Sequence, residues 1–201
     1  MFLRRLLPVF CLLSSVTFSA GVAIANDFAS KLVAAAKLQI GVTTIYDPSY
    51  VSLTFPMGDI LRERGVCSDV LIRALRDSHG VDLQALVNQD MKSAFSSYPR
   101  IWGLKTTDRS IDHRRVYNLQ RLFERKGYAV PTSLLSDDYL PGDIVTWMLP
   151  GNLPHLGIVS DEKALWTSRP LIIHNIGAGT KEEDRLFDFE IVGHYRLKPT
   201  L

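Results

Sequence analysis

The spacing of apolar positions changes once along the chain. Up to about residue 127 they recur every three or four residues, and beyond about residue 140 they gather into short runs between turn residues. The first regime predicts helices. Ala29 to Ile40 forms one, with Leu32, Val33, Ala36 and Ile40 on one side, and Tyr46-Asp47-Pro48-Ser49-Tyr50 turns the chain. A second helix is expected from Cys67 to about Ser78, with Val70, Leu71, Ala74 and Leu75 facing the core and Gly80 closing it. Asp82 is the expected N-cap of a third helix, which runs to about Phe95 and buries Leu83, Leu86, Val87 and Met91. A fourth spans about Val116 to Lys126, packs through Leu119, Leu122 and Phe123, and ends at Gly127.

The second regime predicts strands. Pro141-Gly142-Asp143 is a turn, Ile144 to Met148 a strand, Pro150-Gly151-Asn152 a turn, and His155 to Ser160 a second strand. Leu171 to His174 and Phe189 to Leu197 follow, the last with Val192 and Tyr195 expected to be buried. Helices first and strands later predict an α+β domain with an antiparallel sheet.

The N-terminus has its own pattern. Arg4 and Arg5 precede an apolar stretch from Leu6 to about Ala20, and Ala23-Ile24-Ala25 has the small-x-small form of a cleavage site. The stretch is shorter than the roughly 20 apolar residues of a bilayer span and contains Pro8. Residues 1–25 are therefore expected to be a signal peptide, with the mature chain, 26–201, a single periplasmic or secreted domain. Cys11 follows Phe10 rather than a small residue, so no lipoprotein anchor is expected, nor stable membrane insertion after cleavage.

Charge and cysteine content narrow the function classes. Losing Arg4 and Arg5 takes 23 Lys+Arg to 21, against 21 Asp+Glu, a balance without the basic field that nucleic acid requires. Loss of Cys11 leaves Cys67 alone, so the mature chain has no internal disulfide. An isolated cysteine is commonly a small buried apolar residue. Cys67, however, falls at the first turn of a predicted helix, where free N–H groups and the helix dipole favour thiolate and lower a thiol pKa from about 8.5.

A thiolate nucleophile needs a base and a group to orient it. His155 opens the strand His155-Leu156-Gly157-Ile158-Val159, and the next strand ends Ile172-Ile173-His174-Asn175. Adjacent antiparallel strands can bring His155 beside His174, or beside Asn175 in the alternative register. Asp112-His113-Arg114-Arg115 is the richest other polar cluster, fit either to hold substrate carboxylates or to form a salt-bridged helix start. His79 is expected at a helix C-terminus and His194 on a strand facing solvent or a partner side chain. Neither a Cys-x-x-Cys nor a His-x-x-x-His pair nor Gly-x-Ser-x-Gly occurs, so no metal, no cofactor and no serine nucleophile is expected.

Gly142-Asp143-Ile144-Val145, His155-Leu156-Gly157-Ile158-Val159 and Leu171-Ile172-Ile173-His174, after a Cys at a helix start, resemble the NlpC-type papain-like cysteine peptidases. More of the chain resembles the domain-of-unknown-function 1287 family, through Gly65-Val66-Cys67-Ser68-Asp69-Val70, Ile111-Asp112-His113-Arg114-Arg115-Val116 and His174-Asn175-Ile176-Gly177. The resemblance implies a papain-like fold with N-terminal helices packed on a C-terminal sheet, Cys67 as nucleophile, His155 as general base and His174 as its orienter. It also implies an upstream tyrosine near the oxyanion, for which Tyr46 and Tyr50 are candidates. Val66 stands where NlpC-type peptidases carry Asp, Asp69 where they carry Gly, and the stretch 83–138 has no counterpart in that pattern. Asp69, Asp112, His113, Arg114, Arg115 and Asn175 complete the substrate-binding candidates.

The expected function is a monomeric periplasmic cysteine hydrolase that cleaves an amide bond in peptidoglycan stem peptides. Two alternatives stand beside it: a non-catalytic envelope protein that binds cell-wall peptide or a protein partner, and a thiol acyltransferase or thioesterase.

Overall fold

A computed structural model describes residues 17–201. Arg4, Arg5, Cys11 and most of the apolar leader lie outside the described residues. The expected cleavage site falls within helix α1, Thr17–Lys37, whose core contacts begin at Phe28 and continue through Leu32, Val33, Ala35 and Ala36. This helix ends earlier than its apolar spacing suggests. Residues 38–43 turn instead, with Gly41 at φ 77°, which leaves Ile40 41% exposed rather than in the core.

Two short strands follow, β1 (Ile45–Tyr46) and β2 (Arg64–Gly65), paired in parallel with Tyr46 opposite Gly65. Helix α2, Cys67–His79, begins directly after them. Val66 is extended, and the Asp69 carboxylate accepts its N–H at 2.7 Å, satisfying one of the free donors of the first turn. Gly80 closes α2 in the left-handed region at φ 66°, a conformation that glycine adopts without a Cβ clash. Asp82 caps α3, Leu83–Ser93, through the Ala85 N–H. A 3-10 turn, Asp112–Arg114, leads into α4, Val116–Arg125.

The rest of the chain forms a six-stranded antiparallel sheet. Its strands are β3 (Ala129–Val130), β4 (Ile144–Leu149), β5 (Leu153–Lys163), β6 (Pro170–Asn175), β7 (Thr180–Glu183) and β8 (Glu190–Tyr195), in the order β3-β8-β4-β5-β6-β7. β4 and β5 form a hairpin in which Gly151 and Asn152 take the positive φ values of the tight turn. The fold is thus α+β, with four helices and one large antiparallel sheet among the described residues.

Alternation along the strands divides the core in two. Ile144, Leu156, Ile158, Ile173 and Tyr195 pack with α1, α2 and α4. Val145, Trp147, Val159 and Ile172 pack on the opposite face under Leu186 and Tyr139, where the Trp147 indole donates to the Leu186 carbonyl at 2.9 Å. Coverage of both faces explains why β4, β5 and β6 read as nearly continuous apolar runs rather than as alternating strands. On β8, Tyr195 is buried as expected, but Val192 is 39% exposed. Of the two settings expected for His194, a partner side chain holds: it is buried, with Nε2 2.7 Å from the Asp143 carboxylate and its ring stacked on Tyr139.

Candidate active site

Cys67 is the first residue of α2 and lines a cleft of about 380 Å³ with Tyr46, Trp102, Arg115, Tyr117 and Pro154 among the other walls. Its thiol faces the backbone N–H of Leu156 on β5 and those of Cys67 and Ser68 at the helix start. Hydrogen bonding from these groups lowers the thiol pKa, as the helix-start position predicts. Burial acts in the opposite direction and wins: the thiol is pushed up to about 11, not down. At neutral pH the resting site therefore holds a neutral thiol.

The two histidines come together. His155 Nε2 and His174 Nδ1 are 2.8 Å apart, and both rings are buried. His174 Nε2 lies 3.3 Å from the Glu183 carboxylate on β7. Burial and the facing His174 hold the His155 pKa down at about 3, and burial lowers that of His174 against the opposing pull of Glu183. Both imidazoles are therefore neutral at pH 7, and their tautomers follow from what each partner can accept. An ionised carboxylate only accepts, so His174 Nε2 carries its proton and His174 Nδ1 is an acceptor. His155 Nε2 must then donate, which leaves His155 Nδ1 with its lone pair free. Among the described residues that nitrogen has no hydrogen bond, which is the state a general base requires.

Glu183 is invisible at the sequence level, because Thr180-Lys181-Glu182-Glu183 has neither apolar alternation nor a motif. Only the pairing of β6 with β7, His174 opposite Lys181, brings the carboxylate within reach. The sheet also separates the thiol from the imidazoles more than a helix packed across it would suggest. Leu156 and Ile158 face α2, whereas His155 packs toward Trp147, 5.8 Å between ring centroids, on the other face. The thiol thus meets β5 at the Leu156 amide, and no hydrogen bond joins Cys67 to His155 among the described residues.

The remaining candidates separate by position. Tyr46 lies on the cleft with Cys67, and burial followed by the nearby Cys67 and Asp69 raises its pKa. Tyr50 is 61% exposed, 3.5 Å from Asp108, and does not line the cleft. Asn175 is fully buried and donates to the Gly65 carbonyl at 3.0 Å, tying β6 to the strand that precedes Cys67. Asp69 and Arg114 form a buried pair, with Arg114 Nε and Nη2 each 2.9 Å from a carboxylate oxygen of Asp69. The same guanidinium donates to the carbonyls of Asp47 and Ser49, so the pair fastens the loop after Tyr46 to the start of α2. His113 is buried with Nδ1 unpartnered, and burial lowers its pKa to about 4. Asp112 is buried, accepts the Asp108 N–H and Arg115, and has its pKa raised by burial. His79 ends α2 and docks α1, its ring stacked on Phe28 at 4.0 Å and its Nε2 3.0 Å from the Phe28 carbonyl.

Among the described residues, no group of three or more His, Cys, Asp or Glu side chains stands where it could hold a metal ion, and no helix is long and apolar enough to cross a membrane. The family described as "Domain of unknown function (DUF1287)" matches residues 33–197, which include the thiol, both histidines and Glu183. The chain belongs to the DUF1287 family. A relative, "Uncharacterized protein YijF" of Escherichia coli (strain K12), is 56% identical over 161 residues, 80% of this chain and 78% of its own length. The DUF1287 match begins at Val33, inside α1, and ends at Leu197, just past β8, so it takes in the whole sheet and all helices but the first part of α1.

Proposed function

We propose that this DUF1287 protein is an exported cysteine hydrolase of papain-like, NlpC-type architecture that cleaves an amide bond in peptidoglycan stem peptides. The observation that carries the reading is the Glu183–His174–His155 chain, which leaves a neutral imidazole with a free Nδ1 one residue from the amide that contacts the only cysteine outside the leader. In the reaction, Cys67 Sγ attacks the substrate carbonyl and its proton passes to His155 Nδ1. The imidazolium then gives that proton to the departing amine as the C–N bond breaks, and water activated by the same nitrogen releases the acyl group from sulfur. Amides at the start of α2, with the Tyr46 hydroxyl, supply donors to the developing oxyanion. Residues 1–25 act as the export leader, so the working protein is periplasmic or secreted.

Proton transfer in this scheme requires Cys67 Sγ and His155 Nδ1 to approach each other with substrate bound, because in the resting structure β5 parts the thiol from the imidazole. Digestion of purified peptidoglycan, followed by mass spectrometry of the released fragments, tests the reading. Wild type generates new amino termini, His155→Ala is slower by about 10²–10⁴-fold, and Cys67→Ala is inactive. Unchanged product release by Cys67→Ala would overturn it. Transfer to an acceptor amine or alcohol in place of water identifies an acyltransferase on the same scaffold.

A second reading draws on the raised thiol pKa and the missing Cys67–His155 hydrogen bond. It makes the chain an envelope protein that binds cell-wall peptide in the same cleft without cleaving it. Peptide binding by Cys67→Ser equal to wild type, with no product from either, would establish it.

A further inference from the structure

The two adjacent arginines on the cleft differ in what their nitrogens are free to do. Arg114 has a side chain 3% exposed, and its Nε, Nη1 and Nη2 are all engaged, by Asp69 and by the carbonyls of Asp47 and Ser49. Its charge is matched and its donors are used. Arg115 is held by one nitrogen only, Nη1 to the Asp112 carboxylate at 2.9 Å, while its guanidinium lies 4.0 Å over the Trp102 ring. Among the described residues its Nε and Nη2 have no protein partner, and neither is sealed from solvent. Asp112 is itself 1% exposed and also accepts the Asp108 N–H, so the anchor is rigid. Stacked on an indole and pinned at one corner, the guanidinium loses little freedom on taking up a planar anion.

Cys67 and Arg115 line the same cleft, and the wall near them is apolar, with Ile101, Trp102, Val116 and Pro154. We propose that Arg115 is the carboxylate-binding residue of this cleft and selects acyl donors that carry a free carboxylate beside an apolar segment. The proposal rests on the reading of the Cys67 cleft as the substrate site. An Arg fork pairs with a carboxylate through two parallel N–H···O bonds, and the edge carrying Nε and Nη2 is the one left open here. A substrate with an amide in place of that carboxylate cannot accept from Nε and Nη2 as a charged pair, and leaves that edge of the guanidinium without an anionic acceptor.

Two small alkylating probes that differ only in charge test this without knowledge of the natural substrate. Iodoacetate and iodoacetamide each transfer their acetyl-derived carbon to sulfur with loss of iodide, and mass spectrometry of the peptide containing Cys67 reads the rate at that position in the full chain. The ratio of the iodoacetate rate to the iodoacetamide rate is compared with the ratio for N-acetylcysteine under the same conditions. The expected ratio at Cys67 exceeds that of the free thiol by on the order of tenfold, falls to the free-thiol value in Arg115→Gln, and is partly kept in Arg115→Lys. Arg121→Gln, an exposed α4 residue paired with Glu124, controls for net charge and leaves the ratio unchanged.

Equal ratios in wild type and Arg115→Gln, or an equal fall in Arg121→Gln, would overturn the proposal. Should the buried thiol react with neither probe, the Arg115 Nε–H resonance is followed by NMR while N-acetyl-L-leucine or N-acetyl-L-leucinamide is added. A shift with the acid and none with the amide supports the clamp, and identical responses overturn it. Neither measurement requires turnover. A catalytically silent Cys67 with an intact carboxylate preference would remove the hydrolase reading alone, whereas hydrolysis indifferent to substrate charge would remove the clamp alone.

Discussion

Arg114→Met tests the buried pair that fixes the start of α2, where Cys67 sits. Arg114 and Asp69 have side chains 3% exposed, and the guanidinium makes two 2.9 Å bonds to the carboxylate. Removing the arginine leaves the buried Asp69 carboxylate with the Val66 N–H as its remaining donor. Removal of one partner of a buried pair typically costs about 3–5 kcal/mol, mostly because the charge left behind is unsolvated. For a chain of this size each kcal/mol moves Tm by roughly 2–4 °C, so the variant melts about 6–20 °C below wild type. The double variant Asp69→Ala/Arg114→Met removes both charges and regains much of that loss. It retains a deficit of about 1 kcal/mol because the first turn of α2 has lost its cap. Scanning calorimetry on wild type, the two single variants and the double variant completes the cycle. A fall of less than about 2 °C in Arg114→Met, or losses that simply add in the double variant, would show that the pair is not energetically coupled and that another contact holds α2 in place.

Three further outcomes follow from the same geometry. His113 is buried with a pKa near 4 against an unfolded value of 6.5, so the unfolded chain takes up its proton first as pH falls. Its contribution to stability is complete above pH 6.5 and is lost toward pH 4. Urea midpoints measured across that window should fall less steeply in His113→Gln than in wild type, and parallel curves would refute the assignment. In Glu183→Gln the charge that raises the His174 pKa is gone, so the His174 titration moves further down in side-chain NMR, and an unmoved titration would remove Glu183 from the relay. A Cβ at Gly157 would stand 2.5 Å from Ile172 Cγ2 and 3.2 Å from His174 Cβ. Gly157→Ala is therefore expected to lose about 1–3 kcal/mol in urea unfolding and to lengthen the His155–His174 contact, and wild-type stability would show that β6 shifts freely.

The sequence carries the helices well where punctuation is strong. α2, α3 and α4 begin where Cys67, Asp82 and Val116 place them, α3 through the Asp82 cap and all three through apolar spacing that starts there. The same holds for the β4–β5 hairpin, whose turn residues demand positive φ. Legibility fails where tertiary pairing decides. β1, β2 and β3 are two residues each, and β7 is charged, so none has a local signature. Of the site, the meeting of His155 and His174 follows from adjacent strands. The helix-start argument for Cys67 captures the right local dipole but cannot see the burial that outweighs it. The Asp69–Arg114 pair spans two segments 45 residues apart, and no spacing rule relates them.

The edges of the large sheet also bear on how the chain behaves among copies of itself. One edge is β3, only two residues long, and the other is β7, where Lys181, Glu182 and Glu183 supply three charges in four residues. Open backbone donors and acceptors on an edge strand invite pairing with another chain, and shortness and charge are the two common defences against it. Both are present here, one on each side. Glu183 therefore has two settings at once, since the carboxylate that meets His174 Nε2 also keeps an exposed edge from adding strands, and a neutral substitution there weakens solubility together with that contact.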